Sequence, residues 1–248
     1  MAEDLGRQVM NEDSLNQGRL IDLSKSRASF YAFLNIHFTD LPDQQFASEL
    51  RKEAFRAALH DLEGDRAVRP EIARGAALME AYLKGAKDLD ARTLAERLGV
   101  DRTRLYRGVS PGYGPAPPYE ALWVQKEGDL TALLQRISRA YADGGFILKD
   151  AVHERVDYIG IQFDYLEQLV LKEISARESG EEKTVRRLLK HQNAFLLEHL
   201  GQWVPRFVAS ALTYARTDFY KGHLHMLNGF IEEEGERIAW LIGPEPVT

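Results

Sequence analysis

The chain has 248 residues, 44% hydrophobic and 28% charged, a balance that supports a packed core and excludes wholesale disorder. Its 38 acidic residues against 32 basic ones leave a net charge of −6, which disfavours attraction of the whole chain to DNA or anionic lipid. There is no cysteine, so disulfides, thiol nucleophiles, cysteine-ligated iron–sulfur clusters and zinc knuckles are excluded together.

The polar, acidic opening MAEDLGRQVMNEDSLNQ has no basic segment leading into an apolar run, so no export signal is expected. The longest notable uncharged stretch, Ala28 to Thr39, falls well short of the roughly 20 apolar residues a membrane span needs. A soluble, cytoplasmic protein without stable membrane insertion is the expectation. Leu20, Leu23, Arg27, Phe30, Tyr31, Leu34 and Phe38 recur at steps of three and four, predicting an amphipathic helix whose stripe only Arg27 interrupts. Asp40-Leu41-Pro42 ends it and opens the next, since proline is tolerated in a first turn, and Phe46, Leu50, Ala54 and Ala58 give that helix a narrower stripe. Gly64 and Pro70 bracket a turn. Ile72, Met79, Tyr82 and Leu83 mark a third helix, and Asp90 is placed to cap a fourth carrying Leu94 and Leu98.

Further along, Leu130, Leu133, Leu134 and Ile137 belong to a helix that Gly144-Gly145 terminates. Ile159, Phe163, Leu166, Leu169 and Val170 form another, and Leu188, Leu189, Phe195, Leu196 and Leu200 precede Gly201 and Pro205. Two last stripes are Phe207, Ala211, Ala215 and Phe219, then Leu224, Leu227, Phe230, Ile231 and Trp240. Period-two alternation is nowhere sustained and no internal repeat is visible. The prediction is an all-α bundle of about eight to ten helices in a single domain, residues 1–248.

One connection stands apart. GVSPGYGPAPPYE, Gly108 to Glu120, holds four of the nine prolines and three glycines, residues that deny donors to a helix or make it entropically unfavourable. The loop at 108–118, or a second break at 143–155, is a candidate hinge, and long ordered loops inside helical domains often carry function.

Just before that loop, Thr93 to Arg107 has the look of a helix–turn–helix: an Ala-x-x-Leu-Gly-Val core, a turn at Gly99, and Arg102 and Arg104 opening a recognition helix. Arg92 to Arg107 carries +3, which leaves −9 on the rest of the chain and would repel DNA. A DNA-binding regulator is therefore the alternative, and nucleic acid is not an expected partner. Enzyme chemistry finds no support. His223 and His225 are two apart and point to different sides of a helix, His191 and His199 are too far apart for one ion, and Glu198-His199 lacks the spacing of a zinc hydrolase. No nucleophile–base set, metal site or cofactor is expected, and His199 reads as an interhelical hydrogen-bonding histidine.

The continuation of the same segment carries a resemblance. Asp101, Thr103, Arg104, Leu105 and Tyr106, followed after the loop by Pro118, Tyr119, Glu120 and Ala121, are similar to a signature of the TorD/DmsD family of molybdoenzyme maturation chaperones. ERVDYIGIQFDYL, Glu154 to Leu166, resembles the family's Asp-His segment and the helix after it. FLLEHLGQWVPRF repeats its spacing at Phe195, His199, Leu200, Trp203 and Phe207, and Phe219-Tyr220 falls at its aromatic pair. The family's Pro-x-Asp-His stands here as Arg155-Val156-Asp157-Tyr158, and Gln162 replaces a common glutamate.

The resemblance implies a cytoplasmic all-helical chaperone, monomer or homodimer, without chemistry of its own. Its partner would be the catalytic subunit of a molybdopterin-dependent oxidoreductase, bound through the twin-arginine leader before export and assisted in cofactor insertion and folding. Such a ligand needs carboxylates for the arginines and an aromatic cleft for the apolar segment. The candidate rim is Glu120, Glu154 and Asp157; Tyr106, Tyr119, Trp123 and Tyr158 would line the cleft. Set against this, Trp123 and Trp203 also suit plain packing, Glu120 suits a cap on the helix after Pro118, and Asp157 suits an N-cap on the run from Tyr158.

Overall fold

The computed structural model describes residues 2–108, 110, 112–124, 130–148 and 154–243, with only the backbone of residues 2–15. Over that range the helices are α1 (Ala2–Thr39), α2 (Gln44–Glu49), α3 (Glu53–Gly64), α4 (Pro70–Gly85), α5 (Ala91–Tyr106), α6 (Leu130–Asp143), α7 (Ile159–Glu178), α8 (Glu182–Phe195), α9 (Gly201–Tyr214) and α10 (Asp218–Ile242). A π turn at Leu196–Leu200 joins α8 to α9 without interruption, so the ten helices make nine continuous rods among the described residues. No strand forms among them, and the antiparallel bridge between Tyr119 and Tyr158 is isolated. The fold is all-α.

Two helix pairs organise the core: α10 lies along α4, and α1 along α7. The first pair is close because glycine faces glycine. A Cβ on Gly222 would stand 2.5 Å from the Gly75 carbonyl oxygen, and one on Gly75 2.5 Å from the Gly222 carbonyl oxygen. Around these pairs Tyr31, Leu34, Phe38, Met79, Leu98, Phe163, Leu166, Trp203, Phe207, Phe219 and Leu227 are buried in one cluster. Asp90 caps α5 as expected, accepting from the Thr93 amide at 2.7 Å.

Several boundaries differ from the periodic reading. The stripe Phe46–Leu50–Ala54–Ala58 is split between α2 and α3. At the break, the Arg51 guanidinium leaves the helix path to bond the Leu89 carbonyl and reach Ala86 at 3.4 Å, satisfying carbonyls at the end of α4. Pro42 lies ahead of α2 rather than in its first turn, because Asp43 is the N-cap and accepts from the Phe46 amide at 2.7 Å. Ala215 and Phe219 are parted by a turn clamped from outside: the Asp101 carboxylate accepts from the Arg216 amide at 3.1 Å and from the Thr217 amide and hydroxyl, both at 2.8 Å. Gly201 and Pro205 do not stop the rod, which passes through both. Trp240 closes no stripe; it is 70% exposed.

Arg27, the apparent flaw in the first stripe, is buried. Its guanidinium bonds Glu173 of α7 and Glu234 of α10, each at 2.8 Å, and Gln192 of α8. Ser24 and Arg177 also reach Glu173 at 2.8 Å. Four helices thus share one buried ionic knot, and a charge in that position is tolerable only because it is paired and hydrogen-bonded.

Candidate functional site

The loop after α5 is pinned at both ends. Gly108 takes φ +58°, a left-handed turn off the helix, with Pro117 packed where its side chain would be. The Trp123 indole donates to the Pro117 carbonyl at 3.1 Å. The segment that follows runs antiparallel to the residues before α7: the Glu120 amide donates to the Asp157 carbonyl and the Ile159 amide to the Pro118 carbonyl, both at 3.0 Å. This short pairing sets the rings of Tyr119 and Tyr158 5.1 Å apart, although they lie in different stretches of chain.

Tyr119, Glu154, Asp157 and Tyr158 therefore meet in one patch, with two arginines the sequence reading left out. Glu154 bonds Arg107 at 2.8 Å and accepts from the Tyr119 hydroxyl. Asp157 holds Arg155 through both carboxylate oxygens at 2.7 Å, and that guanidinium lies 4.9 Å from the centre of the Tyr119 ring. Burial and the Glu154 bond push the Tyr119 phenol up. Burial would raise Glu154, but the Tyr119 hydroxyl and Arg107 outweigh it and hold the carboxyl below its usual range. The Tyr158 phenol is pushed up to about 12, mainly by burial. The patch is a charge-balanced set of two carboxylates, two partly exposed guanidiniums and two phenols kept neutral at physiological pH.

Of the expected site residues only Tyr119, Trp123 and Glu154 are partly exposed; Asp157 and Tyr158 are buried beneath the patch, and Glu120 and Tyr106 are buried as well. Glu120 does not stand on a rim and caps no helix: it is buried, bonded to His199 at 2.9 Å and Gln162 at 2.6 Å, so His199 is an interhelical hydrogen-bonding residue. Tyr106 is a core ring whose hydroxyl meets His223 at 2.8 Å. Trp123 is half-buried against Phe207. Asp157 does not cap α7, whose N-cap is Tyr158 without a side-chain bond; it accepts instead from the Ala121 amide at 3.1 Å. The Tyr158 hydroxyl donates to the Phe38 carbonyl at 2.7 Å, tying the patch to the last turn of α1.

The helix–turn–helix alternative loses its geometry. Residues 91–106 form one unbroken helix with no turn at Gly99. Arg102 is buried and donates to the His37 carbonyl at 3.0 Å and to that of Phe38, capping α1, while Arg104 is buried against Asp101 at 3.0 Å. These arginines face the core, where no phosphate reaches.

Periodicity also passed over a groove. Between the last turns of α1 and the α2–α3 elbow lies a cleft of about 840 Å³, walled by Phe33, Ile36, Leu41, Phe46 and Phe55, with Asp40, Asp43 and Glu49 along it and His37 among its lining residues. Elsewhere, ligand atoms of His60, Glu63 and Glu80 lie within 4.8 Å of one another, close enough to share an ion. Arg56 already approaches Glu80 at 3.8 Å, and a three-residue spacing on α3 gave no sequence signal without Glu80 from α4.

Comparison with known proteins gives a consistent result. The family model described as nitrate reductase delta subunit matches residues 65–209, more than half of the chain. A chaperone protein TorD of Vibrio vulnificus is 24% identical over 209 residues, covering 84% of this chain and 92% of that protein. The TorD of Photobacterium profundum is 25% identical over 169 residues, 67% of this chain and 74% of its own. That of Vibrio cholerae El Tor is 23% identical over 213 residues, 86% and 91% respectively. No helix among the described residues is long and apolar enough to cross a membrane.

Proposed function

This chain belongs to the nitrate reductase delta subunit family, to which the TorD-like chaperones belong, and we propose that it binds the twin-arginine leader of a molybdopterin-dependent oxidoreductase in the cytoplasm. It holds the immature catalytic subunit there while the cofactor is inserted and before export. The chain acts by binding alone and contributes no covalent chemistry.

The observation that carries this reading is the convergence of Tyr119, Glu154, Asp157 and Tyr158, from two separate stretches, on one aromatic patch whose carboxylates are paired with guanidiniums. Its carboxylates each hold a guanidinium, Asp157 through both oxygens and Glu154 through one, and this is the chemistry that would take a client's arginines. Because Arg107 and Glu154 are both partly exposed, the Arg107 side chain can swing into water and yield Glu154 to one of the leader's arginines, while buried Asp157 holds Arg155 in place beside it. Glu120, through its amide on the Asp157 carbonyl, and Trp123, through the Pro117 carbonyl, hold the segment that carries Tyr119, while Tyr106 packs in the core behind it.

Isothermal titration of the full chain with a peptide carrying two consecutive arginines and an apolar segment tests the reading. Saturable binding is expected, weakened about tenfold when both arginines become alanine, and several-fold by Glu154→Gln or Tyr119→Phe. Affinity indifferent to all of these changes would reject the reading.

A further inference from the structure

We propose that the groove between α1 and the α2–α3 elbow is the docking site for the apolar part of that leader, with its flanking cationic side chains on Asp40, Asp43 and Glu49. The inference rests on the chaperone reading and adds a second surface to it.

The first support is chemical. The groove's walls are aromatic and aliphatic: the Phe33 ring lies 6.0 Å from Phe55, and Leu41 is 66% exposed beside them. Exposed leucine beside half-buried phenylalanines is the composition of a binding surface, and about 840 Å³ falls in the range of ligand clefts. The carboxylate at Asp40 makes no hydrogen bond or ion pair among the described residues, and that of Glu49 only an exposed one with Lys52. Unlike Glu154 and Asp157, these acids need not release an internal arginine to take a client's cation. An apolar cleft edged by exposed carboxylates, none of them held by an internal arginine, complements a segment that joins basic to apolar residues.

The second support is independent of charge. His37, a lining residue, is 1% exposed, and neither of its ring nitrogens has a hydrogen-bond partner. Phe33 at 5.2 Å, Phe46 at 5.6 Å and His223 at 4.5 Å surround the ring without satisfying it. Burial, then His223 and Arg102, hold the imidazole well below its usual range, so it is neutral, with one donor and one acceptor unmet. A buried polar group left orphaned in this way calls for a partner, and a backbone or hydroxyl group of a bound segment supplies one.

The third is continuity. Phe38, between the groove residues His37 and Thr39, accepts from the Tyr158 hydroxyl, so the last turn of α1 is a wall common to the groove and the arginine patch.

The absence of cysteine makes the test direct. An environment-sensitive dye is attached to Gln45→Cys at the groove, and in a second protein to Leu122→Cys beside the arginine patch. Each is titrated with the twin-arginine peptide, with a version bearing two lysines, and with one whose apolar segment is replaced by serine and glycine. The groove site requires a saturable emission change at Gln45→Cys, weakened about tenfold by Asp40→Lys with Glu49→Lys, and lost with the serine–glycine peptide. His37→Leu, which removes an orphaned polar group and whose folding a thermal melt checks, should also weaken the peptide several-fold. A response confined to Leu122→Cys, or one blind to Asp40, Glu49 and His37, overturns the groove and leaves the chaperone reading standing. Equal binding of the two-lysine peptide at Gln45→Cys keeps the groove and removes the twin-arginine preference. No saturable response at either dye removes both.

Discussion

His223 is the residue whose surroundings constrain its chemistry most tightly. Its Nε2 lies 3.1 Å from the Leu34 carbonyl, which can only accept, so Nε2 carries the proton and Nδ1 accepts from the Tyr106 hydroxyl at 2.8 Å. Burial drives its pKa down to about 4, with the Leu34 bond acting in opposition. The unfolded chain binds a proton near pH 6.5, the folded chain only near 4, so the stabilisation is complete above 6.5 and disappears as pH falls through that window. At about 1.4 kcal/mol per unit, the loss amounts to roughly 3 kcal/mol. Urea unfolding of the wild type at stepped pH should show that slope, to which buried His37 adds, and His223→Gln should reduce it. An unchanged slope in the variant would mean that folding leaves the proton affinity of this imidazole unaltered. The neighbouring groups facing it are Tyr106, Tyr220 and His37, none of which supplies a countercharge.

At the scale of helices, two devices hold the bundle together, and each can be broken alone. Gly222→Ala pushes a methyl group into the α4 backbone at Gly75, where no flexible side chain can yield, and overpacking of this kind costs about 1–3 kcal/mol or more. A thermal melt should show the loss, while Gly235→Ala on the same helix, with nothing near its Cβ, should show none. Arg27→Met strands Glu173 and Glu234 without their shared cation, a loss of about 3–5 kcal/mol. Burial raises Glu234 while Arg27 pulls it back; at Glu173 the same burial is outweighed by Arg27 and the bonds from Gln192 and Arg177. Changing Arg27, Glu173 and Glu234 together to Met, Gln and Leu should therefore be far milder than Arg27→Met, and equal losses would show that the knot is not electrostatic. Helix interiors were legible because burial follows a period of 3.6, but these devices were not. The α2–α3 break carries neither glycine nor proline and lies where Arg51 reaches the Leu89 carbonyl between α4 and α5, and Asp101 shapes the α9–α10 turn from another helix. The patch was partly legible, since Tyr119 and Tyr158 stood in recognisable motifs, but their meeting depends on a long-range bridge no local pattern encodes.

Across the whole molecule, burial is distributed unevenly, and the unevenness falls on the groove. In α10 twelve residues are buried, from Phe219 to Ile238, whereas Ala47 is the buried residue of α2 and Leu59 that of α3. Buried apolar contact is what an opening must break, so the α2–α3 elbow should open at a fraction of the free energy that unfolds α4 or α10. A groove wall of low local stability can adjust to a bound segment without disturbing the core. Hydrogen exchange of the free chain should accordingly find residues 44–64 exchanging well before those of α4 and α10. Saturating twin-arginine peptide should slow exchange there selectively, because a ligand that binds only the closed elbow stabilises it by mass action. Gly222→Ala should accelerate exchange in α4 and α10 and leave the protection gained at residues 44–64 largely intact. Were the peptide instead to protect α4 and α10 as strongly as residues 44–64, the elbow would be opening only with global unfolding, and its independence from the core would fail.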